Sequence, residues 1–299
     1  MNDGSRQSNG GAPRRGACRA AEARWYASPM VFELNAVVRQ KVLVSPELMI
    51  LRVAPHGWEL PEFTPGQYTV LGLPPEAPRY RLADPEDEPP LPGRPIRRAY
   101  SVASSSRARE YVEFYITLVR SGRLTPRLFA LEPGDRVHLR PRMSGTFTLD
   151  RVEPGRHVVL VATGTGLAPY MSMLRSFLDR GEGTRWAVLH GARHSWDLGY
   201  RAELETMERL SPAFTYLPVV SRPDEEHVPW GGATGYVQDA WQSGLLAGRS
   251  GFRPAPETTD VFLCGAPGMV ESMMDVLVAE GFVEHTRKRP GQVHVERYW

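Results

Sequence analysis

Four consecutive residues, Arg98, Ala99, Tyr100 and Ser101, carry groups suited to a flat, phosphorylated ligand. A guanidinium pairs bidentately with phosphate oxygens. On a strand, the side chain two positions further on points to the same face, so Tyr100 accompanies Arg98 and can lie against a planar ring system. The Ser101 hydroxyl can donate to a ring nitrogen. An ordinary edge strand bearing the same four residues is the competing reading.

Two further segments suit an anion. Thr163-Gly164-Thr165-Gly166-Leu167-Ala168-Pro169 follows an apolar run and leads into a helical pattern. Backbone N–H groups at such a helix start have no intrahelical partner and face outward. The turn is not a GxGxxG, and a tight strand-to-helix turn without a ligand would look the same. Cys264 and Gly265 close a second apolar run, 260–264, just before another helical pattern. In open parallel sheets ligands bind at the carboxyl ends of strands, where both turns fall.

Positioning these groups requires two kinds of scaffold. From residue 31 to about 150 the chain shows short β-rich runs broken by Pro and Gly, at 32–40, 48–53, 68–73, 111–119 and 136–139. That rhythm predicts an antiparallel β-barrel or sandwich. The Pro- and acid-rich segment 74–95 reads as a surface excursion between strands. After Pro154 and Gly155 the rhythm becomes strand–helix alternation. Strands are predicted at 157–162, 185–190, 214–220 and 260–264, and helices at 168–179, about 200–210, 240–246 and 268–280. This predicts a Rossmann-like parallel sheet covered by helices. The expected domains are 30–152 and 153–299, preceded by a tail over 1–29.

Composition bounds the function classes. A length of 299 residues allows two domains with separate cores. A net charge of +2 argues against a nucleic-acid binder. There is no apolar run of transmembrane length and no apolar stretch of the kind that marks a secretory signal, so a cytoplasmic protein is expected. Cys18 and Cys264 are too few to hold an iron–sulfur cluster, and no metal site is expected. Residues 1–29 contain Arg6, Arg14, Arg15, Arg19 and Arg24 without apolar periodicity. They read as a disordered basic tail or an overextended gene start.

Six motifs share the order and spacing of one superfamily. They are Phe63-Thr64-Pro65-Gly66-Gln67-Tyr68, Arg98-Ala99-Tyr100-Ser101, Glu113-Phe114-Tyr115, Gly122-Arg123-Leu124-Thr125-Pro126-Arg127, Gly164-Thr165-Gly166 and Cys264-Gly265. The chain resembles the ferredoxin–NADP(+) reductases over residues 31–299, most closely the bacterial branch, where a terminal pair like Tyr298-Trp299 also occurs.

The resemblance implies an FAD-binding β-barrel followed by an NADP(H)-binding α/β domain. It implies that Arg98 holds the FAD diphosphate, that Tyr100 stacks on the isoalloxazine and that Ser101 bonds near flavin N5, with Ala99 between them. Tyr115 and the turn Arg123, Leu124 and Thr125 would line the ribityl and diphosphate portion. Tyr298 and Trp299 would pack on FAD. Thr165 and Gly166 would receive the nicotinamide nucleotide diphosphate. Ala192 with Arg193, and Ser221 with Arg222, would take the 2′-phosphate. Cys264 and Glu296 resemble the pair beside the flavin–nicotinamide junction. On residue type alone, Cys264 reads equally as buried packing and Glu296 as a surface carboxylate.

One departure is Tyr236, standing after Gly235 where relatives commonly carry an arginine; it leaves NADPH favoured, with dual or relaxed specificity open. The implied partner is ferredoxin or flavodoxin, and the implied state a monomer or weak dimer. The alternatives are an NADH-linked reductase component of an oxygenase or cytochrome system, and a flavin electron-transfer subunit without turnover.

Overall fold

The computed structural model describes residues 32–88, 90–178 and 183–297. The tail read over 1–29 lies outside them, as do Tyr298 and Trp299.

The first half contributes β1 (Ala36–Ser45), β2 (Leu48–Pro55), β3 (Tyr68–Leu73), β4 (Ile96–Ser101), β5 (Val112–Thr117), α1 (Thr125–Ala130) and β6 (Arg136–Leu139). The strands form an antiparallel sheet in the order β4-β3-β6-β1-β2-β5. Alternate residues of each strand enter a common core, including Val38, Leu51, Leu71, Phe114 and Leu139. Strand β1 begins four residues later than the sequence suggests and runs on to Ser45. Its second half is held by pairing with β2 rather than by burial, so Val42 and Leu43 stay exposed. The order leaves β4 and β5 at the two edges, and Ala103 N–H, just past β4, donates to Glu113 O of β5 at 2.8 Å. The edge of β4 away from β3 carries no ladder among the described residues.

Helix α1, which has no counterpart in the sequence reading, sends Leu128 and Phe129 into this core. Its buried Arg127 donates to Pro75 O and pairs with Glu86, as does Arg79. The excursion over 74–95 is thereby anchored to the barrel.

The second half runs β7 (His157–Thr163), α2 (Ala168–Phe177), β8 (Trp186–Ala192), α3 (Arg201–Leu210), β9 (Phe214–Val220), β10 (Ala233–Thr234), α4 (Val237–Gln242), α5 (Leu245–Ser250), β11 (Thr259–Cys264), α6 (Pro267–Ala279) and β12 (Val293–Glu296). The sheet is parallel, in the order β10-β9-β8-β7-β11-β12. Its central strands are nearly continuous apolar runs because both faces are covered. The helix expected over 240–246 is two short helices separated at Gly244. Strand β12 is absent from the sequence reading; it pairs in register with β11, Cys264 opposite Glu296. The order reverses between β7 and β11, making those two strand ends the switch point of the sheet. One face of the sheet shares a core with Leu48, Ala103, Tyr115 and Phe147 of the first half. No helix among the described residues is long and apolar enough to cross a membrane.

Candidate active site

The carboxyl ends of β7 and β11 lie side by side, and their turns interlock. A Cβ on Gly166 would fall on the Cys264 carbonyl, and one on Gly265 would collide with Thr163 Oγ1. Glycine at both positions lets the two backbones touch. Thr163 Oγ1 then accepts from Ala266 N–H at 2.8 Å, tying one turn to the other. Thr165 is half-buried on this ledge.

Three side chains from three strands meet beside it. Ser101, at the end of β4, is buried, and its hydroxyl donates to Glu296 Oε2 at 3.3 Å. The fully buried Cys264 thiol lies 3.9 Å from the same oxygen. Glu296 is half-buried, so one carboxylate joins two buried groups to the outside. The β11–β12 register brings Cys264 and Glu296 together, and the packing of the barrel against the parallel sheet supplies Ser101. Buried Tyr170 of α2, not singled out in the sequence, donates to Val161 O at 3.1 Å. Burial pushes its phenol well above the usual value of 10, and Cys264 and Glu296 add to that rise.

Along β4, Arg98 and Ala99 are exposed and Tyr100 is half-buried. Arg98 Nη1 donates to the neighbouring Arg97 carbonyl at 2.7 Å, leaving the rest of the fork toward solvent. The Tyr100 ring meets Phe114 edge-on at 6.3 Å, and burial raises its phenol above the usual range.

Two residues of the expected flavin lining are buried. The Tyr115 side chain is buried in the shared core, edge-on to Tyr200 at 5.0 Å, and its hydroxyl accepts from Gly199 N–H at 3.0 Å. The Leu124 side chain is buried in the barrel core. Apolar burial claims both side chains. Thr125 stands at the start of α1, and its hydroxyl holds Val119 at both backbone groups. Arg123 alone of that turn is exposed.

At the ends of β8 and β9, the backbones of Ala192 and Arg193 accept from Ser221 and Arg222 at 3.0 and 2.9 Å. Arg193 and Arg222 are exposed side by side. Arg222 pairs with Glu225 at 3.3 Å. Glu225 also takes His194 Nε2 at 2.7 Å, and Asp197 lies 3.3 Å from the other ring nitrogen. Tyr236 is exposed at the start of α4.

The sequence reading missed a buried ion cluster between the halves. Glu113 of β5 takes Arg52 at 2.6 Å, Arg175 of α2 at 2.6 Å and the Tyr200 hydroxyl at 2.8 Å. Only the Glu113-Phe114-Tyr115 motif pointed near it.

The model of the oxidoreductase NAD-binding domain family matches residues 160–275. The flavodoxin/ferredoxin–NADP reductase of Escherichia coli K12 is 34% identical over 246 residues, covering 82% of this chain and 90% of the relative. Ferredoxin–NADP reductase B of Sorangium cellulosum is 38% identical over 214 residues, 70% and 81% of the two chains. A Neisseria gonorrhoeae ferredoxin NADP+ reductase solved with bound FAD and NADP superposes with a TM-score of 0.71 at 22% identity, covering 88% of this chain and 98% of that one. An Amycolatopsis cytochrome P450 reductase gives 0.67 at 24% identity, over 88% and 69%. Identity at this level over nearly the whole of the relatives, together with the barrel and switch-point geometry, makes this chain a member of the flavodoxin/ferredoxin–NADP reductase family.

Proposed function

We propose that this protein is an FAD-dependent oxidoreductase that exchanges hydride with NADP(H) and single electrons with ferredoxin or flavodoxin. The observation that carries the reading is the meeting of Ser101, Cys264 and Glu296 beside the interlocked turns of β7 and β11. Residues 30–152 form the flavin half and 153–299 the nucleotide half. The protein works as a cytoplasmic monomer or weak dimer.

The residues present fit a flavin. The outer edge of β4 lacks a ladder partner among the described residues, Arg98 offers its fork to a diphosphate, and Tyr100 has a half-buried ring beside it. Arg123 adds a second exposed cation for the diphosphate, and Tyr298 and Trp299, which lie outside the described residues, would pack on FAD as the resemblance implies. When bound, the flavin supplies the conversion between two-electron and one-electron chemistry. Thr165 and Gly166 offer a surface on which the nicotinamide nucleotide diphosphate settles, and Arg193 and Arg222 receive its 2′-phosphate. Ser101 and Cys264 orient the reacting rings. Glu296 accepts from Ser101 and reaches the exterior, so a proton can pass between solvent and the buried hydroxyl.

A second reading, an NADH-linked reductase component of an oxygenase or cytochrome system, is favoured by one observation: the Arg222–Glu225 pair already occupies a cation that NADPH would need.

Anaerobic stopped-flow absorbance with each nicotinamide separates the two. The flavin should bleach much faster with NADPH than with NADH; equal or faster bleaching by NADH supports the second reading. Ser101→Ala should slow bleaching by about tenfold to a hundredfold, because misplaced reacting groups cost on that scale. Absence of flavin, with none taken up on adding FAD, would overturn both.

A further inference from the structure

We infer that Glu225 is a specificity-determining residue that competes with the 2′-phosphate for Arg222 and so narrows the preference of this protein for NADPH over NADH. The inference rests on the proposed role of Arg222 at the nucleotide site.

The geometry of the loop after β9 carries it. Pro223–Glu225 is a single 3-10 turn, and it folds the carboxylate back onto the arginine three positions earlier. Glu225 uses its two oxygens separately: Oε1 pairs with Arg222 Nη1 at 3.3 Å, and Oε2 with His194 Nε2 at 2.7 Å. His194 is itself held in place. Its ring stacks on Trp196 at 4.4 Å and 10°, and its second nitrogen lies 3.3 Å from Asp197 Oδ2. The carboxylate therefore stays fixed beside the cation instead of ranging through solvent.

The other charges nearby do not offset it. Asp224 and Glu226 flank Glu225 in sequence, and Glu226 is taken up by the Ser195 backbone N–H and hydroxyl. Arg193 is the neighbouring cation, and Tyr236 adds none. A dianionic phosphate approaching Arg222 must displace the Glu225 oxygen and sit near its charge, whereas a dinucleotide with a plain 2′-hydroxyl meets no such repulsion. Because Oε2 retains His194, Glu225 can release Arg222 without losing every partner. The carboxylate thus weakens the 2′-phosphate subsite without closing it.

The test is calorimetric titration of the flavin-loaded protein with 2′,5′-ADP and with 5′-AMP, which differ only in the 2′-phosphate. The proteins compared are wild type, Glu225→Gln, Glu225→Lys and Arg222→Ala. Glu225→Gln should tighten 2′,5′-ADP about threefold to fivefold, the scale of one exposed ion pair, and leave 5′-AMP unchanged. Glu225→Lys should tighten it further. Steady-state NADPH and NADH kinetics should shift in parallel, through KM for NADPH rather than kcat. If Arg222→Ala weakens 2′,5′-ADP but neither Glu225 variant tightens it, the inference is overturned while the nucleotide site stands. If 2′,5′-ADP binds no better than 5′-AMP and Arg222→Ala changes nothing, the site assignment itself fails and the inference with it.

Discussion

Two carboxylates in this molecule each bridge two basic side chains, yet their surroundings are opposite. Glu113 has 1% of its side chain exposed and lies in the seam between the barrel and the parallel sheet. Glu225 has 54% exposed and lies on a turn at the sheet end. Water screens the second and not the first, so similar partners do different work. At the seam a charge removed from water must be fully compensated. Arg52 of the barrel, Arg175 of α2 and the Tyr200 hydroxyl supply that compensation from both halves. Arg175 continues to Glu203 of α3, carrying the chain of charge into the second domain. At the sheet end the same kind of pairing adds little to stability, and at the proposed nucleotide site it would set the charge a 2′-phosphate meets.

The largest test of this contrast is Glu113→Ala. Removing one partner of a buried pair strands the others, so the loss should be about 3–5 kcal/mol by denaturant unfolding. A loss below about 1 kcal/mol would erase the distinction between buried and exposed pairs. Next comes Tyr200→Phe, which removes one hydrogen bond to the buried carboxylate. The expected cost is about 1.5–3 kcal/mol, and the double variant with Glu113→Gln should show non-additivity because the two residues touch.

The pH dependence should separate the clusters by sign. Burial pushes the Glu113 carboxyl upward, but Arg175 and Arg52, with the Tyr200 hydroxyl, outweigh it and hold it below its ordinary 4.5. Its stabilisation is full above pH 4.5 and is lost as pH falls through the lowered folded value. The hydrogen bond that His194 donates to Glu225, helped by Asp197, raises His194 above its ordinary 6.5 despite partial burial. That contribution is full between pH 4.5, where Glu225 is still ionised, and pH 6.5, and is lost as pH rises through the raised folded value of His194. Glu113→Gln should flatten only the acid limb of stability against pH, whereas Glu225→Gln should flatten both limbs slightly, because His194 and Arg222 hold the Glu225 carboxyl below its ordinary 4.5. The smallest effect is thermal: Glu225→Gln should lower the melting temperature by no more than about 2 °C at neutral pH, and by less in high salt, as differential scanning calorimetry would show.

Much of this architecture was legible in the sequence because it is periodic. Alternating short strands, then strand–helix alternation with glycine turns, announce the barrel and the parallel sheet before any contact is known. Residue types at the candidate site were legible too, since Tyr100, Ser101 and Cys264 sit at the ends of their strands and Arg98 lies two residues before Tyr100 on the same strand. The direction of a side chain was not. Tyr115 and Leu124 belong to motifs, yet packing turned both into core residues. Strand β12 was hidden because four residues, Val293, His294, Val295 and Glu296, carry too short a pattern to register without β11 beside them. The Glu113 cluster was hidden more deeply. Its partners lie 61, 62 and 87 positions away, and no local rule joins them.

The pairing of Cys264 with Glu296 across β11 and β12 has a consequence for chain length. Successive side chains on a strand face opposite ways, so slipping β12 by one residue would turn the carboxylate off the Cys264 face and offer Val295 or Arg297 instead. The spacing within β12 is therefore set as tightly as any side chain at the site. A single residue added or removed between Val293 and Glu296 would turn the carboxylate away from Cys264, with every reactive group still present in the chain.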